Sequence, residues 1–208
     1  MNKQEIMDIS QTIAGTQGRL DYAEHLYALA SCLPDNPTIL EIGTQEGGST
    51  VVIGLTVNKT KFKMYCIDPC FVKESERPEG YKQYELIGKY TLPNVQKLLE
   101  KHNLQDNITL VPGSSEEVLN VWDEKYSDKF DMIYIDGDHT YKALKIDLLW
   151  EKYAKDKCII VLDDWITGVK IATQEYLNDN KPEWKVRKDH TFWPMYYTRN
   201  YGDKDIHK

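Results

Sequence analysis

Residues 39–50 read ILEIGTQEGGST, and what this stretch can form decides the fold. Thr38 to Ile42 is a short apolar run that stops at Gly43, which predicts a buried strand. Ser49 to Val57 continues as a helix, although its β-branched residues weaken that reading by propensity alone. The glycines between them let the chain turn sharply and let a ligand approach the backbone. Two nucleotide loops can be tested against the pattern. A dinucleotide loop, G-x-G-x-x-G, would run through positions 43, 45 and 48, and Gln45 breaks it. A phosphate loop, G-x-x-x-x-G-K-[ST], fits Gly43, Gly48 and Thr50, but Ser49 stands where the lysine must be. What remains is an acidic strand end, G-x-x-x-G-x-S, and a helix start able to receive a carboxylate. A tight turn with no ligand would look the same.

Outward from this unit the chain alternates helix and strand patterns. Asp21 to Cys32 is helical, with Tyr22, Leu26, Leu29 and Ala30 on one face and Pro34 beyond its end. Lys63 to Ile67 is a strand closed by Asp68 and Pro69, and the polar stretch from Cys70 to Tyr90 reads as an inserted loop or lid. Further helices are expected over Asn94–His102, Ser115–Val121, Tyr141–Tyr153 and Val169–Leu177. Strands are expected over Ile108–Val111, Met132–Ile135 and Cys158–Leu162, with a closing hairpin over Trp184–Lys188 and Met195–Thr198. Five strands separated by helices predict a doubly wound, mostly parallel α/β sheet of Rossmann-like type, covered on both faces. One domain spans 1–208, with a helical extension over 1–36 and a variable loop over 70–93.

Composition narrows the function classes. Of 208 residues, 41% are hydrophobic and 28% charged, too apolar for disorder. A formal charge of −7 and the absence of a Lys/Arg cluster argue against a nucleic-acid partner. Met1 to Ser10 is polar and mixed in charge, unlike a signal peptide, and the run from Thr50 to Val57 is too short to span a bilayer. Four cysteines without C-x-x-C spacing argue against zinc and are consistent with reduced thiols in a cytoplasmic protein that binds no membrane.

In a doubly wound sheet, ligands bind outside the carboxyl ends of the strands. Asp68, 27 residues beyond Glu41 (68 − 41), is placed to accept the hydroxyls of a ribose, or to form the turn before Pro69. Gly113-Ser114-Ser115-Glu116-Glu117 could set polar atoms beside an adenine, or simply cap a helix with acids in its first turn. Asp136-Gly137-Asp138-His139 ends one strand and Asp163-Asp164 the next, so these carboxylates should converge across a spacing of roughly 4.8 Å between strands. Crowded acids repel and raise each other's pKa, and a hard divalent cation, Mg²⁺ or Mn²⁺, would relieve them. The bland alternative has Asp163 and Asp164 capping the following helix while Asp138 is solvated. With the other strand ends in view, the metal reading is preferred.

The segments ILEIGTQEGGST, YCIDP, LVPGSSEEVL, FDMIYIDGDHTYKALKIDLLW and IIVLDDW-ITGVKIATQEYL resemble, in order and spacing, class I S-adenosylmethionine (SAM)-dependent O-methyltransferases. The closer likeness is to the metal-dependent bacterial branch with macrolide-sugar O-methyltransferases and cephalosporin-biosynthesis proteins. It covers roughly Ile39 to Leu177 and implies a seven-stranded sheet whose last strand is antiparallel. It also implies a cytoplasmic enzyme moving a methyl group from SAM to a hydroxyl of a small molecule (sugar, natural product or phenol), assisted by Mg²⁺ or Mn²⁺. Under it Glu41, Gly43, Thr44, Gly47 and Ser49 surround the methionine end of SAM, Asp68 takes the ribose, and Ser114 and Ser115 lie beside adenine. Asp136, which also borders SAM, joins Asp163 and Asp164 as metal ligands. His139 stands where macrolide relatives carry a histidine base and catechol-type relatives a lysine, with Asp138 the competing base. This chain departs from the pattern at Asp163, usually Glu in macrolide members, and at Asp164, Asn in catechol-type relatives. Trp165 would wall an acceptor pocket, or simply pack. Two other classes stay open: a catalytically inactive SAM-fold scaffold, which the intact acids and His139 oppose, and a nucleotide-dependent oxidoreductase or NTPase, which Gln45 and Ser49 oppose. Self-association into a homo-oligomer is left open.

Overall fold

The computed structural model describes residues 1–13, 16–58, 61–71, 92–164, 167–178, 184–187 and 195–199. Within them the strands are β1 (Thr38–Ile42), β2 (Lys63–Asp68), β3 (Ile108–Pro112), β4 (Phe130–Ile135), β5 (Ala154–Leu162), β6 (Trp184–Arg187) and β7 (Met195–Arg199). The helices are α1 (Lys3–Ser10), α2 (Leu20–Ser31), α3 (Gly48–Val57), α4 (Leu92–Lys101), α5 (Ser115–Asn120), α6 (Trp122–Lys125), α7 (Tyr141–Asp147) and α8 (Thr167–Asn178).

The strands form one seven-stranded sheet in the order β3-β2-β1-β4-β5-β7-β6. β1 to β5 run parallel, and β7 is antiparallel to both β5 and β6. The expected architecture, with its antiparallel closing strand, is present. Side chains alternate between two apolar layers with the strand period of two. One layer packs Ile39, Met64, Cys66, Met132 and Tyr134 against α1, α2 and α3. The other packs Leu40, Ile42, Ile67, Ile133 and Ile135 against Trp122, Trp150, Val169 and Ala172.

Every residue of α3 is buried, so packing on all sides outweighs its β-branched composition. Most boundaries shift by one or two residues, and two elements depart further from the sequence reading. The helix expected over Tyr141–Tyr153 tightens into 3₁₀ turns at Leu148–Tyr153. Residues three apart eclipse there, which aligns Trp150 and Tyr153 and brings their rings 5.1 and 6.1 Å from Trp122. β5 begins at Ala154 rather than Cys158, because exposed Asp156 and Lys157 interrupt the apolar pattern and the register with β4 shifts there. Of the expected 70–93 loop, Pro69–Phe71 forms a 3₁₀ turn and 72–91 lie outside the described residues, as does Trp165.

Register is what builds the site. Val111, Ile67, Ile42, Ile135 and Leu162 lie in one row across five parallel strands. Pro112, Asp68, Gly43, Asp136 and Asp163 therefore leave the sheet along one rim. Backbone bonds Gly43 N–H to Ile67 O (2.9 Å), Asp136 N–H to Ile42 O (2.8 Å) and Asp163 N–H to Ile135 O (2.9 Å) carry the row one residue further.

Candidate active site

The β1–α3 loop is held from beneath by two acids. Asp68 Oδ2 accepts the backbone N–H groups of Thr44 (3.0 Å) and Gln45 (2.8 Å), which stabilises Gln45 at a φ of 45°. Glu41, wholly buried, accepts the hydroxyls of Ser49 (2.6 Å) and Thr50 (2.5 Å) at the first turn of α3. Burial pushes the Glu41 carboxyl up to about 7, against the Ser49, Thr50 and Cys66 bonds that favour its ionised form. Gly47 starts the helix with a φ of 80°. Gly43, at a φ of 88°, is required for a different reason: an added Cβ would run into the carbonyl of Asp136 and lie 2.8 Å from Gly137 N. Its missing side chain lets the two halves of the rim touch backbone to backbone.

At the β3 end, Ser114 caps α5. Its Oγ accepts Glu117 N–H (3.3 Å), while Glu117 Oε2 accepts Ser114 N–H (2.8 Å), a reciprocal capping box. Ser115 Oγ accepts the indole N–H of Trp150 (2.9 Å) and bonds Asp147, whose carboxyl burial raises to about 7. The capping reading of these serines is thus present in the structure, beside whatever they offer a ligand.

The β4 and β5 ends bring Asp136, His139, Asp163 and Asp164 together. His139 Nδ1 lies 3.0 Å from Asp164 Oδ2 and its Nε2 lies 3.4 Å from Asp136 Oδ1. Burial alone would lower the His139 pKa, but the Asp136 bond and the charges of Asp164, Asp136 and Asp163 outweigh it and raise it. Asp164 sits in the left-handed region at a φ of 49°, the kind of backbone that clusters at functional sites. Asp163 is buried, and its Oδ1 has no donor. Facing acids bond only by sharing a proton, and burial, then Asp136 and Asp164, push the Asp163 carboxyl well above the usual range. Asp138 is not in this cluster: its Oδ1 accepts Thr140 N–H at 3.0 Å.

Three further residues reach the cluster that the sequence reading did not place there. Tyr134 donates its phenol to Asp136 Oδ2 (2.9 Å), and Tyr22 of α2 bonds both that phenol and Asp136 Oδ2 (3.3 Å). Arg19, just ahead of α2, puts its Nη2 3.6 Å from Asp163 Oδ2. Tyr134 was detectable, since it stands two strand positions before Asp136 and shares its face. Arg19 and Tyr22 were not, because they are over 100 residues distant in the chain. Among the described residues no group of three or more His, Cys, Asp or Glu side chains is arranged so that it could hold a metal ion, and no helix is long and apolar enough to cross a membrane.

Residues 40–165, more than half of the chain, match the methyltransferase domain family. The chain belongs to that family. Solved structures share the methyltransferase-domain fold across almost the whole molecule. The O-methyltransferase TomG of Streptomyces achromogenes, solved with SAM, is 14% identical with a TM-score of 0.65, covering 97% of this chain and 92% of its own. The O-methyltransferase NovP is 14% identical with a TM-score of 0.64, over 88% and 81%. The methyltransferase PaMTH1 of Podospora anserina, solved with SAH bound, is 14% identical with a TM-score of 0.63, over 96% and 88%. In this methyltransferase-domain protein the matched segment runs from β1 to just past β5, so it contains every strand end that forms the rim.

Proposed function

We propose that this protein transfers a methyl group from SAM to a hydroxyl of a small molecule, with a divalent cation at the carboxylate cluster. The observation that carries the reading is the single row of strand ends. It sets a glycine-containing helix start (Gly43 to Ser49) and Asp68 beside a basic imidazole among three acids, within a chain of the methyltransferase domain family. TomG and PaMTH1 were solved with SAM and SAH, and TomG and NovP are O-methyltransferases, which supports the same donor and acceptor chemistry here.

In this account the β1–α3 loop and the N-terminus of α3 receive the amino-acid end of SAM, and Asp68, while bracing the loop, borders its ribose. SAM, when bound, supplies the methyl group and keeps the electron pair of the broken S–CH₃ bond on sulfur. His139 takes the acceptor's hydroxyl proton at a ring nitrogen, leaving oxygen to form the new O–CH₃ bond. The imidazole must be neutral to do so, and the surrounding acids hold it protonated to a higher pH than usual. Asp138, turned to Thr140 N–H, is the weaker candidate for base.

The cluster's donor chemistry fits a hard cation. Asp136, Asp163 and Asp164 offer only oxygen, and Asp163 Oδ1 is a buried acceptor with no donor. These three would hold Mg²⁺ or Mn²⁺, which when bound would favour the deprotonated acceptor oxygen. Turnover with candidate sugars and phenols, followed by SAH release, tests the function. SAM binding without transfer to any hydroxyl acceptor would favour a scaffold instead.

A further inference from the structure

The first turn of α2 and the residue ahead of it place two side chains on the acids, and they act differently. Tyr22 donates a hydrogen bond to Asp136 Oδ2 at 3.3 Å and is buried on its own face of the helix. Arg19, three residues earlier, has its guanidinium 4.2 Å above the Tyr22 ring and 3.6 Å from Asp163 Oδ2. Its side chain is 41% exposed, whereas that of Asp163 is 2% exposed. At 3.6 Å the pair attracts by charge without a formed hydrogen bond, so it can part without leaving a buried donor unsatisfied.

The charge balance gives this contact a purpose. Three acids, two of them close enough to share a proton, meet one imidazole and one guanidinium, and Asp163 Oδ1 has no other donor. A planar guanidinium on a side chain anchored outside the rim cannot draw three carboxylates inward. A divalent ion, which gathers oxygens at roughly 2.0–2.1 Å, can. The two cations also exclude one another, since both seek the buried Asp163 carboxylate and like charges brought together there repel.

We propose that Arg19 is a displaceable counter-cation, holding Asp163 when no divalent ion is bound and yielding it when one arrives, so that metal binding is coupled to the α1–α2 segment. This rests on the reading of Asp136, Asp163 and Asp164 as metal ligands. Arg19 is a positioning residue in this account: it touches a ligand of the metal and not the reacting atoms. Its occupancy of Asp163 lowers the apparent affinity for metal by the fraction of molecules in which it must first be displaced.

Mn²⁺ titration followed by the electron paramagnetic resonance of the free ion, on the full chain at constant ionic strength, tests this. Arg19→Gln should bind Mn²⁺ on the order of tenfold more tightly than wild type, and Asp163→Asn at least tenfold more weakly. Hydrogen exchange on the wild-type protein needs no variant: saturating Mn²⁺ should raise amide exchange across residues 16–31. Equal or weaker Mn²⁺ binding by Arg19→Gln, with Asp163→Asn still losing it, overturns the displacement and leaves the metal ligands standing. Unchanged exchange in residues 16–31 at saturating Mn²⁺ does the same. Absence of Mn²⁺ binding in wild type and Arg19→Gln alike overturns both the metal site and the role of Arg19.

Discussion

Replacing Glu41 with Gln should change how stability depends on pH, by an amount the structure sets. Glu41 is wholly enclosed, and its carboxyl is raised from 4.5 to about 7, chiefly by burial. The folded protein therefore keeps a proton on Glu41 at pH values where the unfolded chain has released it. Stability from this group is fully present below the unfolded value and is lost as pH rises through the folded one. At about 1.4 kcal/mol per pH unit, the rise from 4.5 to about 7 is worth about 3 kcal/mol, of which about 2–3 kcal/mol falls between pH 5 and 8. Gln carries no titrating proton and keeps the shape: one of the Ser49 and Thr50 hydroxyls still donates to its carbonyl oxygen, and the other accepts from its amide N–H. Chemical unfolding of both proteins at pH 5, 6, 7 and 8, compared as a difference, removes the contributions of every other group. The wild type should lose ground to Glu41→Gln steadily from pH 5 to 8 and level off above. Parallel curves, or a wild type that gains on the variant as pH rises, would refute the reasoning.

Three other outcomes follow from the rim. Gly43→Ala should destabilise the fold by about 3 kcal/mol or more, because its Cβ meets the Asp136 backbone in a left-handed conformation; a melting temperature within about 2 °C of wild type would contradict this. His139→Ala should lower kcat by ~10²–10⁴-fold with SAM affinity nearly intact. Because the neutral imidazole is required, wild-type kcat should rise with pH as His139 loses its proton, a limb the variant lacks. If Asp138→Asn were crippled instead, the base would be Asp138. Chelation should abolish turnover reversibly, and Asp164→Ala should lose activity while retaining SAM; full activity in excess EDTA would remove the metal from the account.

Much of the rim was legible because parallel strands leave few choices. Once β1, β4 and β5 were recognised, their adjacency brought Asp136, His139, Asp163 and Asp164 into one neighbourhood, and they meet there. Spacing could not separate Asp138 from the rest, since a turn of one residue decides whether a carboxylate faces the cluster or bonds Thr140 N–H. Gly43 was singled out for a sharp turn and a ligand's approach, but the close approach it permits in the structure is to Asp136, whose proximity only the folded sheet supplies. Asp68 read as an acceptor for ribose or as a turn former before Pro69, and its bonds to Thr44 and Gln45 depend on a loop conformation no pattern encodes. Arg19 and Tyr22 carried no local signal: Arg19 lies ahead of the expected helix, and Tyr22 read only as part of its apolar face. They become part of the site only because α2 lies over the strand ends.

The central claim, that the rim binds SAM, is tested most directly by calorimetric titration of the full chain with SAM, NAD⁺ and ATP in parallel, repeated on Asp68→Ala. The account predicts micromolar binding of SAM or SAH, none of the other two, and a loss of roughly 1.5–3 kcal/mol in Asp68→Ala, from removing a charged hydrogen-bond partner and the brace of the loop. Binding of NAD⁺ or ATP in place of SAM would contradict it.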